Sequence, residues 1–100
     1  MKYTSKPKII DAWPIADLLE AAKDGAAALP DEIRAAYVEG IIEFEVEHLT
    51  IATMEGVMVG RPGWMLIRGL EGEWYPCEDD IFVRSYQPLE TVLGTEDAQP

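Results

Sequence analysis

The spacing of hydrophobic positions changes character along the chain, and each change predicts an element. In KPKIIDAW, Ile9 and Ile10 are flanked by polar or charged positions and read as a first strand. Pro14 follows, at a first helical position where its missing N–H is harmless. Ile15, Leu18, Leu19 and Ala22 then fall at the i, i+3, i+4, i+7 spacing of a short amphipathic helix. Asp17 and Glu20 near its start and Lys23 near its end suit the helix dipole, and Gly25 is the predicted stop. LPDEIRAAYVEG repeats this grammar: Pro30, Asp31 and Glu32 open the turn, Ile33, Ala36 and Tyr37 form the buried face, and Gly40 ends it. Helices this short are not stable alone, so both must dock on an apolar surface.

The second half switches to the period of strands. In IIEFEVE, Ile42, Phe44 and Val46 alternate with Glu43, Glu45 and Glu47, as on a strand with one wet face. LTIATM continues as another strand after a bend at His48, and Glu55 and Gly56 turn the chain into VMV. Gly60 and RPG break the pattern. WMLIRG is nearly all apolar and predicts a central strand covered on both faces. Glu71 and Gly72 turn into EWY, DDIFVRS reads as one helical turn, and YQPL as an edge strand that tolerates Pro88. ETVLGTEDAQP has weak periodicity. The expected architecture is α+β: a small antiparallel, meander-like sheet with two N-terminal helices on one face, in a single domain over residues 1–88 and a flexible tail over 89–100.

Composition modifies this picture through charge. Nineteen acids against eight bases give a formal charge of −11 on 100 residues. Such a balance repels nucleic acid and anionic membranes and favours basic partners. The bases are unevenly placed: Lys2, Lys6 and Lys8 cluster at the start, while between positions 39 and 80 only Arg61 and Arg68 offset the acids. No apolar run approaches the ~20 residues of a membrane span, and MKYTSKPKII is not followed by a signal-peptide core.

Candidate chemistry centres on LEGEWYPCEDDIF, which holds the single cysteine. One Cys and one His, far apart, fall short of a zinc site. A nucleophilic Cys77 paired with His48 needs an electropositive setting, whereas Glu78, Asp79 and Asp80 raise a thiol pKa. The stretch reads better as a strand-to-helix corner. Glu78, Asp79 and Asp80 sit at the helix N-terminus, Pro76 stiffens the entry, Ile81 and Phe82 enter the core, and the thiol is buried. Trp13, Trp64, Trp74 and Tyr75 are read chiefly as packing aromatics. No phosphate loop, nucleophile elbow or calcium loop is present, so no cofactor, metal or enzymatic activity is expected. The sharpest feature outside the core is the stripe of Glu43, Glu45 and Glu47, with Glu71, Glu73 and Glu78 to Asp80 as a second acidic row. Its alternatives are a DNA mimic, in which the two rows imitate phosphates, and a wet sheet face whose repulsion discourages edge pairing.

Two stretches resemble a family of small phage and prophage proteins. These are KPKIIDAW and TMEGVMVGRPGWMLIRGLEGEWYPCEDDIFVRSYQPL. The family pattern runs K-P-V-x-I-E-A-x-x-W, then T-x-E-G, then P-G-D-W-I-I-R-G-x-x-G-E-x-Y-P-C-x-P-D-I-F-x-x-x-Y, and the likeness covers about half the chain. Trp64 and Met65 stand where the family has Asp then Trp, and Asp79 where it has Pro. The resemblance brings no catalytic residue; it implies a phage origin and a scaffold role for the GE-Y-P-C block. The expected function is therefore a non-enzymatic interaction protein in the host bacterial cytoplasm, inhibiting a basic host protein or nucleoprotein complex as anti-CRISPR proteins do. Its contacts are Glu43, Glu45, Glu47, Glu78, Asp79 and Asp80, with Trp64 as an apolar anchor. The alternatives are a nucleotide-signal sponge, using Trp64, Trp74 or Tyr75 with Arg61 or Arg68, and an accessory phage protein without inhibitory role.

Overall fold

Pro14 is the joint between the first strand and the first helix. In the computed structural model, which describes residues 9–86, strand β1 spans Asp11–Pro14 and helix α1 spans Ile15–Lys23. Pro14 is the cap residue, one position earlier than the sequence pattern placed it, with φ −63° and ψ 127°. The Ile15 N–H, an orphan donor at any helix start, donates to the Trp64 C=O at 2.9 Å. Ile15, Leu18 and Leu19 are buried, as their spacing requires. The strand expected at Ile9 and Ile10 begins instead at Asp11, and Ile9 is 66% exposed.

Gly25, at φ +106°, lets the chain leave α1 through a 3₁₀ turn over Ala26–Ala28 to the buried Leu29. Helix α2 spans Asp31–Val38 and buries Ile33 and Ala36. Tyr37 does not join that face as expected. It is exposed, and its ring lies 5.8 Å from that of Phe44.

The strands are β2 (Ile42–Phe44), β3 (Leu49–Thr53), β4 (Gly56–Gly60), β5 (Met65–Arg68) and β6 (Trp74–Cys77), followed by helix α3 (Asp79–Ser85). The fold is α+β with antiparallel strands, as expected, and the strands are divided between two three-stranded sheets, ordered β2-β3-β4 and β1-β5-β6, where the sequence suggested one. The meander survives in the first. The second is closed by β1, which crosses the helical region to pair with β5, Trp13 opposite Leu66.

One core joins both sheets to the helices. Ile15, Leu18, Leu19, Leu29, Ile33 and Ala36 pack with Ile42, Leu49 and Ile51 of the meander and with Leu66 and Trp74 of the other sheet. Gly60 is part of that packing: a Cβ there would stand 2.7 Å from Ile15 Cδ1 and 2.9 Å from Leu49 Cδ1. Leu66 faces this core, while its neighbour Ile67, also fully buried, points to the opposite face with its cross-strand partner Tyr75. Strand β5 is thus covered on both faces, as WMLIRG predicts.

Helix α3 is longer than the one turn expected, but it rides on the surface. None of its residues is buried, and Ile81 is exposed instead of entering the core. Phe82 is part-buried and stacks on Tyr86 at 5.2 Å, and the Tyr75 and Tyr86 hydroxyls meet at 3.3 Å. Tyr86 is extended. The rest of the expected YQPL strand, the tail over 89–100 and residues 1–8 lie outside the described residues.

Candidate functional site

The glutamate stripe does not form a row. Glu43 is exposed on β2, but the strand ends at Phe44. The Glu45 N–H donates to the His48 C=O at 2.8 Å, closing the chain into a turn from which Val46, 85% exposed, and Glu47 project. Alternation ends wherever a strand must reverse, and here that happens midway through the EFEVE pattern. Glu43 and Glu45 border one shallow groove with Thr50, Ala52 and Val57; Glu47 borders another, beside Lys23, His48 and Arg61.

The other expected contacts are also redistributed. Glu78 is the cap residue of α3 but makes no side-chain cap bond, and Asp79 and Asp80 follow in the first turn. Asp80 is paired with Arg84 at 3.2 Å. Trp64 is part-buried and packed against the core, so it is not the displayed anchor the sequence suggested.

The fold instead assembles a cleft of about 610 Å³ where the β3–β4 hairpin meets the loop between β5 and β6. Met54, Met58, Trp74 and Tyr75 supply its apolar lining, and Glu55, Glu71 and Glu73 are its acids. Two local devices hold these residues. In the hairpin, the Thr53 hydroxyl donates to the Gly56 C=O at 2.6 Å and accepts from the Glu55 N–H at 3.2 Å, fixing a two-residue turn of Met54 and Glu55. In the loop, the Gly69 N–H donates to the Glu73 C=O, the Gly72 N–H donates to the Gly69 C=O, and the Glu73 carboxylate accepts from the Glu71 N–H at 3.1 Å. The glycine and glutamate positions of RGLEGE are therefore explained by the loop they build.

The floor is packed and the rim is charged. Trp74, 8% exposed, lies 5.5 Å from the Trp13 ring, and the Arg68 guanidinium sits 5.0 Å from its centroid. Arg68 also pairs with Glu32 at 3.5 Å. Met54 is fully exposed and Met58 is 40% exposed, offering a polarizable surface that adapts to what it meets. Among the described residues, the ion pairs join Glu20, Asp31, Glu32 and Asp80 to bases; Glu55, Glu71 and Glu73 are in none of them.

Two groups nearby, Tyr75 and Cys77, favour their neutral forms. Burial first, then the hydrogen bond with Tyr86, pushes the Tyr75 phenol up, with smaller effects from the charges of Tyr86, Glu73 and Cys77. Burial raises the Cys77 thiol, and Asp80 and Glu78 add to it, so thiolate is disfavoured. That thiol is part-buried, not enclosed as the corner reading had it. Among the described residues no cluster of three or more His, Cys, Asp or Glu is arranged to hold a metal ion. Of the residues expected for a nucleotide platform, Trp74 and Tyr75 line the cleft and Arg68 lies over Trp74, whereas Trp64 packs into the core and Arg61 borders the groove beside Glu47.

Sequence reasoning named Glu71, Glu73, Trp74 and Tyr75 but passed over Met54 and Met58 and took Glu55 only as a turn residue. A signal was present in TMEGVMVG, where Val57, Met58 and Val59 run without the polar alternation of a half-buried strand. The chain matches no protein-family model, no curated protein and no solved structure.

Proposed function

We propose that the protein is a non-enzymatic interaction module that binds a basic partner protein. The motif resemblance implies a phage or prophage origin alone; within it, an inhibitor of a bacterial defence complex, acting in the host cytoplasm, is the class that an acidic binder of basic proteins suits. The observation that carries this reading is the cleft: Glu55, Glu71 and Glu73, in no ion pair among the described residues, surround the exposed Met54 and Met58 over a buried Trp74 in a chain of net charge −11. A lysine or arginine side chain is the natural complement, because its aliphatic stem lies along apolar surface while its charged head reaches the rim. Carboxylates with no counterion among the described residues also steer a basic partner toward the site and make association fast and salt-sensitive. No described helix is long and apolar enough to cross a membrane.

The test compares capture of host proteins by the full chain and by Glu55→Lys/Glu71→Lys, at about 0.05 M and about 0.5 M salt. Glu73 is left intact because it holds the loop. Capture of a basic protein that is lost on charge reversal and at high salt supports the reading; capture indifferent to both, or of acidic proteins only, overturns it. A second reading, a small-molecule site, draws on the cleft's volume of about 610 Å³. Its glutamates disfavour phosphates, so a melting-temperature rise with amines and none with nucleotides would support that reading.

A further inference from the structure

We infer that the basic partner docks by adding an extended segment, antiparallel, to the edge of β4 that no strand pairs among the described residues. This rests on the reading that the partner is basic, and it specifies how that partner is held.

The backbone directions follow from the ladder. The Ala52 N–H donates to the Ile41 C=O and the Glu45 N–H to the His48 C=O, each at 2.8 Å, directly across the β2–β3 register. Alternate residues of an antiparallel strand bond to opposite neighbours. His48, Thr50 and Ala52 therefore turn their backbone groups toward β2, and Leu49, Ile51 and Thr53 turn theirs toward Gly60, Met58 and Gly56 of β4. The N–H and C=O groups of Val57 and Val59 are left pointing away from β3. Val57 is 70% exposed and Val59 is 40% exposed.

This edge differs from the other edge strands of the two sheets. Strand β1 carries Asp11 and Pro14, β6 carries Pro76, and β2 is only three residues long and bears Glu43. Proline, charge and shortness are the usual protections against unwanted strand pairing. Strand β4, GVMVG, is five residues long with none of them.

Charge identifies the occupant. Glu55 stands at the turn end of the edge, Glu43 and Glu45 border the groove that includes Val57, and Glu71 and Glu73 share the cleft with Met58. A second copy, itself at −11, would meet these carboxylates with its own. A basic segment would meet them favourably. In an added strand, alternate side chains fall on opposite faces: apolar residues directly opposite Val57 and Val59, and basic residues on the Met58 side, toward the glutamates of the cleft.

A synthetic peptide of about ten residues alternating valine and lysine tests this on the full-length protein. Two further peptides carry N-methyl groups, one on the valine amides and one on the lysine amides. Residues opposite Val57 and Val59 in an antiparallel ladder exchange hydrogen bonds with them, so the valine amides face β4 and the lysine amides face solvent. The expected result is that valine-amide methylation weakens binding about tenfold or more while lysine-amide methylation changes it little. The unmodified peptide should also slow hydrogen exchange at the Val57 and Val59 amides about tenfold or more. If both methylated peptides bind like the parent, with affinity that falls with salt and in Glu55→Lys/Glu71→Lys, strand addition is overturned and the basic-partner reading stands. Binding that is lost on valine methylation but survives both high salt and charge reversal supports the docking edge and overturns the reading of charge. Absence of binding by the unmodified peptide overturns the proposal.

Discussion

The Glu73 carboxylate occupies the space that a side chain at Gly69 would fill, while the Gly69 N–H donates to the Glu73 C=O at 2.8 Å. This pair closes the loop between β5 and β6, and through it sets where Glu71 stands on the cleft rim. Gly69→Ala must displace the carboxylate and lose its bond to the Glu71 N–H, an effect of about 1 kcal/mol. Glu73→Ala loses the same bond. Urea unfolding of the two single variants and the double should show a double variant clearly more stable than additivity predicts.

Gly60→Ala should destabilise the fold by about 1–3 kcal/mol, because the added methyl meets Ile15 Cδ1 and Leu49 Cδ1 inside a filled core. Ile15→Val removes one of those two atoms. In the Gly60→Ala background that second change should therefore cost much less than it does alone, and equilibrium unfolding measures the difference.

Stability should fall on the alkaline side. Cys77 and Tyr75 both have folded pKa values raised above their ordinary 9.0 and 10.0, so each releases its proton more readily when unfolded. Their contributions are complete below about pH 9 and are lost as pH rises above it. Urea midpoints measured from about pH 8 to about pH 11 should decline. Cys77→Ser should flatten the start of that decline and Tyr75→Phe its later part.

Arg68 links α2 to the second sheet, pairing with Glu32 while lying over Trp74. Arg68→Lys keeps the charge but loses the flat stacking surface, so a loss of about 0.5–1 kcal/mol is expected. Because the pair is half exposed, Glu32→Gln should cost less than about 1 kcal/mol, and that cost should shrink with added salt. Thermal melts at low and high salt separate the two contributions.

Much of the fold follows from local pattern. The i, i+3, i+4, i+7 spacing in α1, the stops at Gly25 and Gly40, the β3–β4 hairpin and the two-sided burial of β5 depend on short-range sterics and on which face is apolar, both carried by neighbouring residues. Periodicity assigns a face, but it does not specify a strand's partner or its last residue. Only the tertiary structure paired β1 with β5 and so divided one expected sheet into two. Only the turn at Val46 and Glu47, closed by the hydrogen bond from Glu45 to His48, took Glu47 away from Glu43 and Glu45, which still border one groove. The cleft is the clearest case. Met54, Glu55 and Met58 come from one hairpin and Glu71, Glu73 and Trp74 from another, and they face each other because both sheets pack on one core. Such a juxtaposition is a long-range consequence of burial, and no local pattern encodes it.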